Sequence, residues 1–418
     1  MSNEKKKVNR VKCTANISGL MDNFYKNMFD DTKGPICWCV GACPYEMFSA
    51  AGVRRFQTEN HAARISTRQE QAMFIEVAEA EGLSENVCSY AKINIGFALM
   101  MARGEEDKIP ERYRIPKPDM LFALNTCPTM IQWCDMLSDI FKVPKFVVDA
   151  AYIYDENNWD RNVEYVKSQL YDFVRFLEKN TGRPFDWARL NEIVMLMKQI
   201  AVEWRAAREL YKKVPTPASF LDALIAMGPK NTVRDEASLA FYKDFHNEVA
   251  QRAKDGIGVL EQEKYRIMWR GNFPWHKLGT LSRMLAKYDA VIISGVYGLG
   301  TYGDHAIDNI LPDGFDISDP LRTIAAEHCC RSYTRRFDWK MEHEFRRYID
   351  EFSIDAVIIH SPRTCRPWAL TTYDMAREVE EKYKLPVLVL EVDHTDPNYF
   401  HDAQVETRIK ALLETIKK

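Results

Sequence analysis

Two segments far apart in the chain repeat one pattern: an aspartate, an apolar run, a cysteine, a helix-like stretch and a second apolar run opened by proline. The first is Asp119, MLFALNT, Cys127, a stretch to Lys142 and then VPKFVVDAAY; the second is Asp355, AVIIHSPRT, Cys365, a stretch to Lys384 and then LPVLVLEVD. Continuous apolar runs alternating with helical stretches read as parallel strands covered on both faces and joined by crossover helices. Open sheets of that kind bind ligands beyond the carboxyl ends of their strands, where helix amino termini favour anions. A cysteine at each such end predicts two α/β lobes gripping one soft metal centre.

The rest of the chain supports that architecture. Its 418 residues, 46% of them hydrophobic, suffice for two or three domains. Up to about residue 155 the pattern alternates βα, with EQAMFIEVAEAEGL and AKINIGFALMMARG at helical spacing. From 156 to 262 long amphipathic stretches such as NVEYVKSQLYDFVRFLEK and EASLAFYKDFHNEVAQRAK predict a helical subdomain, broken at TGRPF, VPTP and GPKN. From 263 to 418 alternation returns with DAVIISGVY, DAVIIH and PVLVLEV. The expected fold is therefore α/β: two Rossmann-like or flavodoxin-like lobes with parallel sheets, 1–155 and 263–418, and an intervening helical subdomain.

A net charge of -3 offers no polyanion footprint, so neither nucleic acid nor an anionic membrane is expected as a partner. The basic start MSNEKKKVNRVK is followed by no apolar run, and no stretch approaches a membrane span, so the cytoplasm is the expected address. Ten cysteines in that setting point to free thiols, metal ligation or redox work rather than disulfides.

Several motifs compete for chemistry. Gly298, Gly300 and Gly303 form G-x-G-x-x-G, but Pro312 leaves too little helix after them for a pyrophosphate site, and a strand-end loop is the better reading. Cys37, Cys39 and Cys43 are dense, yet their spacing fits neither paired C-x-x-C zinc motifs nor ferredoxin runs; Cys329 and Cys330 are adjacent, which seldom suits one metal. Cys88, Cys127 and Cys365 form a stronger set, because each opens a predicted helix whose amino terminus favours thiolate. Three thiolates leave one iron of a 4Fe-4S cluster open to a substrate oxygen; zinc ligation or inert buried thiols are the competing readings of the same spacing. In Thr58-Glu59-Asn60-His61, Glu59 and His61 place a carboxylate and an imidazole after the first βα unit, either as helix-start and surface residues or as proton-transfer groups.

The same segments carry a family likeness. CWCVGACPYE, TENHAA, ENVCSYAKINIG, ALNTCPTMIQW, GRPFDW, QEKYRIMWRG, HSPRTCRPW and VDHTDPNYFHDAQVETRIKAL occur in the order seen in the large, α-type subunits of the 2-hydroxyacyl-CoA dehydratase and benzoyl-CoA reductase family, which the chain resembles over nearly its whole length. The resemblance implies a 4Fe-4S cluster held by Cys88, Cys127 and Cys365, a smaller homologous iron-sulfur subunit as heterodimer partner, and an iron-sulfur ATPase activator that delivers one low-potential electron. It also implies an acyl-CoA substrate that reacts as a ketyl radical, with Glu59 matching the acidic residue near the substrate in dehydratases.

Three functions follow from this likeness. Reductive dehydration of a 2-hydroxyacyl-CoA comes first, and reduction of an aromatic acyl-CoA in the manner of benzoyl-CoA reductase is the alternative. A third, non-catalytic reading is an electron-transfer cluster protein, because the remaining cysteines exceed what one open cluster needs. Gly41 stands where dehydratases commonly carry a serine, and VDHTDPNYF and EKYRIMWRG drift toward the reductases; CSYAKINIG, GRPFDW and AQVETR resemble the dehydratases.

Overall fold

Among the described residues eight strands pair into two separate, wholly parallel four-stranded sheets. The first holds β1 (Ile36–Val40), β2 (Arg54–Gln57), β3 (Met120–Asn125) and β4 (Lys145–Asp149) in the order β2-β1-β3-β4; the second holds β5 (Tyr265–Arg270), β6 (Ala290–Gly295), β7 (Ala356–His360) and β8 (Val387–Leu390) in the order β6-β5-β7-β8. This computed structural model describes residues 7–150, 152, 156–295, 318–329 and 346–416. Gly298, Gly300, Gly303 and Cys330 lie outside them.

The chain divides into two units, Asp22–Met197 with Ile307–Arg336, and Met1–Met21 with Lys198–Ala306 and Phe337–Lys418. The helical stretch read over 156–262 is shared between them. Trp159–Thr181 belongs to the unit of β1 to β4, Phe220–Thr232 and Glu236–Asp255 to the unit of β5 to β8, and the division falls inside the helix Trp187–Glu209. Among the described residues no helix is long and apolar enough to cross a membrane.

Each sheet has the same topology: its first strand runs second from one edge, the chain then steps to that edge, and returns to the other side of the first strand. Parallel pairing of this kind requires both faces to be covered, and the central strands show it, with every residue of β1 and β7 buried. In the first unit Trp38 is fully buried, its ring 5.0 Å from Phe56 and 5.1 Å from Phe141, and its Nε1 donates to the Pro116 carbonyl at 3.1 Å. On Trp159–Thr181 the buried Val163, Val166, Leu170, Phe173, Val174 and Leu177 recur at three- and four-residue spacing, one stripe turned inward. Phe173 of that stripe packs 4.9 Å from Phe122 of β3.

In the second unit Ile267, Trp269, Ile358 and Leu390 meet Val405, Ile409, Leu412 and Leu413 of the helix Asp402–Thr415 in one core. The central strand β5 also buries Arg266. Its guanidinium donates to the carbonyls of Phe352 (2.8 Å), Lys213 (3.1 Å) and Tyr211 (2.7 Å) and pairs with Glu263, so a buried charge is fully met.

Candidate functional site

In the strand order β2-β1-β3-β4 the chain leaves β1 on one side and β3 on the other, so the crevice beyond the carboxyl ends of these two strands is the topological switch point. Cys127 follows the end of β3 directly. It is the N-cap of the helix Pro128–Phe141, extended at φ -158°, ψ 144°, and Pro128 at the first helical position sacrifices no needed donor. Burial raises the Cys127 thiol pKa and the carboxylate of Glu59 adds to the rise, while the backbone N–H groups of Met130 and Thr129 and the Thr129 hydroxyl oppose it. Those donors belong to the first turn of the helix, where amides point toward the capping residue, and the Met130 amide also donates to the Cys127 carbonyl at 3.1 Å.

Glu59 reaches Cys127's field because the sheet brings the ends of β2 and β3 to one edge. It sits in the first turn of the helix Thr58–Thr67, anchored when Thr58 Oγ1 donates to the Cys39 carbonyl at 3.1 Å. Gln57 Nε2 donates to the Gly41 carbonyl at 3.2 Å, and Gln57 Oε1 accepts from the Tyr45 hydroxyl at 2.7 Å, which fixes the loop after β1. Gly41 itself is at φ +77°, and a Cβ there would lie 2.6 Å from the sulfur of Met130. The position opposite Cys127's helix is therefore held by backbone and a thioether rather than by a polar side chain.

Cys88 is the N-cap of the helix Ser89–Ala102, in the same unit. Trp133, on the helix that Cys127 opens, donates from Nε1 to Asn94 Oδ1 at 2.8 Å on the helix that Cys88 opens. The fully buried Lys92 bonds Glu79 at 2.7 Å and the Glu85 carbonyl at 3.0 Å, tying down the turn ahead of Cys88. Cys365 lies in the other unit, as N-cap of the short helix Arg366–Ala369 beyond the end of β7, at the switch point of the second sheet.

Accessibility separates the cysteines. Cys88, Cys127 and Cys365 are partly exposed, as is Cys13, whereas Cys37, Cys39, Cys43, Cys134 and Cys329 are buried and none of these nine is in a disulfide. Burial raises the pKa of Cys37 and Cys39 and pushes Cys134 up to about 12, so these three behave as neutral core thiols. Among the described residues no group of three or more His, Cys, Asp or Glu converges closely enough to hold a metal ion. As donors, however, the three partly exposed helix-cap thiols suit iron: they are soft and reachable.

Three histidines are core residues. His61, expected near the surface, is fully buried against Phe56 and Phe97, with Nε2 on the Tyr113 carbonyl at 2.9 Å, and burial lowers its pKa to about 3. Burial likewise lowers His276 and His360 to about 4. Folded values below the unfolded 6.5 mean that the unfolded chain binds more protons between pH 6.5 and about 4. Stability held above pH 6.5 is thus lost as pH falls through that window, on the order of 3 kcal/mol per histidine. Urea midpoints measured from pH 7 to pH 4 are expected to drop steadily; a flat profile would show that these imidazoles are not held neutral.

The sequence reading missed Asp393. This fully buried residue accepts from Thr364 next to Cys365, and its sequence signal was its place in the VDHTDPNYF motif just beyond an apolar strand.

Residues 39–416 match the family model described as 2-hydroxyglutaryl-CoA dehydratase, D-component. The chain is 27% identical over 387 residues to the (R)-phenyllactyl-CoA dehydratase alpha subunit of Clostridium sporogenes, covering 91% of this chain and 89% of that one. It is 25% identical over 393 residues to the alpha subunit of lactoyl-CoA dehydratase from Anaerotignum propionicum, with 91% and 90% covered. A benzoyl-CoA reductase subunit of Thauera aromatica is 27% identical over 371 residues, with 86% and 83% covered. With two parallel lobes behind it and a match that runs through nearly all of both, the chain belongs to the 2-hydroxyglutaryl-CoA dehydratase D-component family.

Proposed function

We propose that the chain is the iron-sulfur subunit of an ATP-activated enzyme acting on a CoA thioester, and that its reaction is the reductive dehydration of a 2-hydroxyacyl-CoA. The observation that carries this reading is Cys127 at the β1/β3 switch point, with the Glu59 carboxylate near enough to raise its pKa: a thiol suited to metal within the field of a carboxylate, where open α/β sheets take their ligands. Cys88, Cys127 and Cys365 would hold a 4Fe-4S cluster. When bound, such a cluster with one iron free of protein ligands supplies a Lewis-acid position and a low-potential electron, the requirements of ketyl-radical dehydration.

The protein's own residues do the rest. The amides of Thr129 and Met130 stabilise the Cys127 thiolate, and the Glu59 carboxylate accepts the proton that leaves the 3-position of the acyl chain. All three relatives above are named as subunits, two of them as alpha subunits. That supports a partner subunit, here proposed to be the smaller iron-sulfur homologue, with an iron-sulfur ATPase as the electron donor.

One observation favours a second reading. Gly41 packs on the Met130 thioether of the helix that Cys127 opens and brings no polar side chain there, which suits an aromatic acyl group reduced in its ring as well as an aliphatic one losing water. Reconstitution with the small subunit and activator, against a panel of 2-hydroxyacyl-CoA and aromatic acyl-CoA thioesters, separates the two. Dehydration with catalytic ATP use supports the dehydratase, and ATP consumption stoichiometric with ring reduction supports the reductase. A cluster whose EPR spectrum is indifferent to every thioester would leave only electron transfer.

A further inference from the structure

We infer that Asp393 is a positioning residue for Cys365. Its side chain is fully buried between the two loops that leave β7 and β8. One carboxylate oxygen, Oδ2, accepts from the Thr364 amide at 3.1 Å and from the Thr364 hydroxyl at 2.6 Å. The other, Oδ1, accepts from the amides of Thr395 at 3.0 Å and Asp396 at 2.9 Å. The imidazole of His394 stands 3.6 Å from Oδ2. Four donors use the acceptor capacity of one carboxylate, which is how a fully buried anionic group is made tolerable. The effect is that a single side chain clamps the residue immediately before Cys365 to the loop after β8.

Backbone bonds run beside the clamp. Ser361 N donates to the Leu390 carbonyl at 3.0 Å and Arg363 N to the Val392 carbonyl at 2.9 Å, but Thr364 itself is held through Asp393. The first unit repeats the device at the equivalent place. Asp149, at the end of β4, accepts from Asn125 Nδ2 at 2.7 Å, and Asn125 ends β3 two residues before Cys127. In both sheets an aspartate from the neighbouring edge strand or its loop braces the segment that presents the cysteine. Asp149 is only half-buried and also takes the Tyr165 hydroxyl at 3.0 Å, so Asp393 is the more committed of the two.

The consequence for a cluster rests on the proposal that Cys365 is a ligand; the positioning itself does not. Two readouts keep them apart. In the metal-free full-length chain under anaerobic conditions, alkylation of Cys365 by iodoacetamide, followed by peptide mass spectrometry, is expected to quicken about fivefold or more in Asp393→Asn, because the released loop exposes the thiol and a nearby negative charge is lost. In the reconstituted heterodimer the same variant is expected to lose cluster roughly 10- to 100-fold more readily to a chelator and to raise the midpoint potential of what remains. Thr364→Val removes only the hydroxyl bond and should shift both readouts the same way by less. If Asp393→Asn does not fold, Thr364→Val decides the matter alone. Unchanged alkylation in the folded variants would overturn the positioning role. Faster alkylation in a chain that binds no iron even when unmutated would keep that role and overturn the cluster instead.

Discussion

Cys365→Ser is expected to fold normally and to lose the proposed cluster. Serine matches the size of cysteine, and the Cys365 backbone is held independently of its sulfur by its own amide on the Pro362 carbonyl at 3.2 Å. A hydroxyl is a poor substitute for a soft thiolate, so anaerobic iron and sulfide analysis should fall from the order of four irons per chain to well under one, with turnover down by at least about two orders of magnitude. Cys88→Ser and Cys127→Ser should behave alike. The informative control is Cys134→Ala, which removes a fully buried thiol and should keep both iron and activity. Iron retained in all three helix-cap variants, or lost in the control, would move the ligand set elsewhere; zinc without iron in the parent would remove the cluster altogether.

Glu59→Gln should give the opposite split, with the cluster intact and turnover lost. The amide keeps the shape of the side chain in the first turn of Thr58–Thr67 but accepts no proton, and positioned acid-base groups contribute about 10²- to 10⁴-fold. A second effect checks that the residue sits where it is placed. The Glu59 carboxylate helps to raise the Cys127 thiol pKa, so the glutamine variant should lower it, seen as faster alkylation of Cys127 near neutral pH in the metal-free chain. Full activity in this variant would remove Glu59 from the chemistry.

Much of this was legible in the chain. β3 and β7 stood out because inner strands of a parallel sheet are covered on both faces and so read as unbroken apolar runs, and the edge strand β8 is as apolar in sequence although only alternate residues are buried. β2 and β5 did not. Arg54 and Arg55 open β2, and Arg266 and Arg270 sit in β5, so neither reads as a core strand by composition. Arg266 is acceptable there only because the carbonyls of Tyr211, Lys213 and Phe352, remote in sequence, converge on it. The helices of 156–262 were recognised by their period, but period reveals which face is buried and not which sheet it is buried against, and they are shared between the two units.

The two strand-end cysteines, the helices they open and the family were determined by the sequence alone, because each rests on local order: an apolar strand, a cap, a proline, a motif in series. What only the tertiary structure decided is which groups keep those cysteines company. The Glu59 carboxylate acts on Cys127 because parallel pairing aligns the ends of strands that the chain visits at different times, and Asp393 reaches Thr364 because β8 lies beside β7. Burial then divided the thiols, leaving Cys37, Cys39, Cys43, Cys134 and Cys329 inside the protein, where charge is costly, and Cys88, Cys127 and Cys365 at partly open helix ends that a ligand can reach.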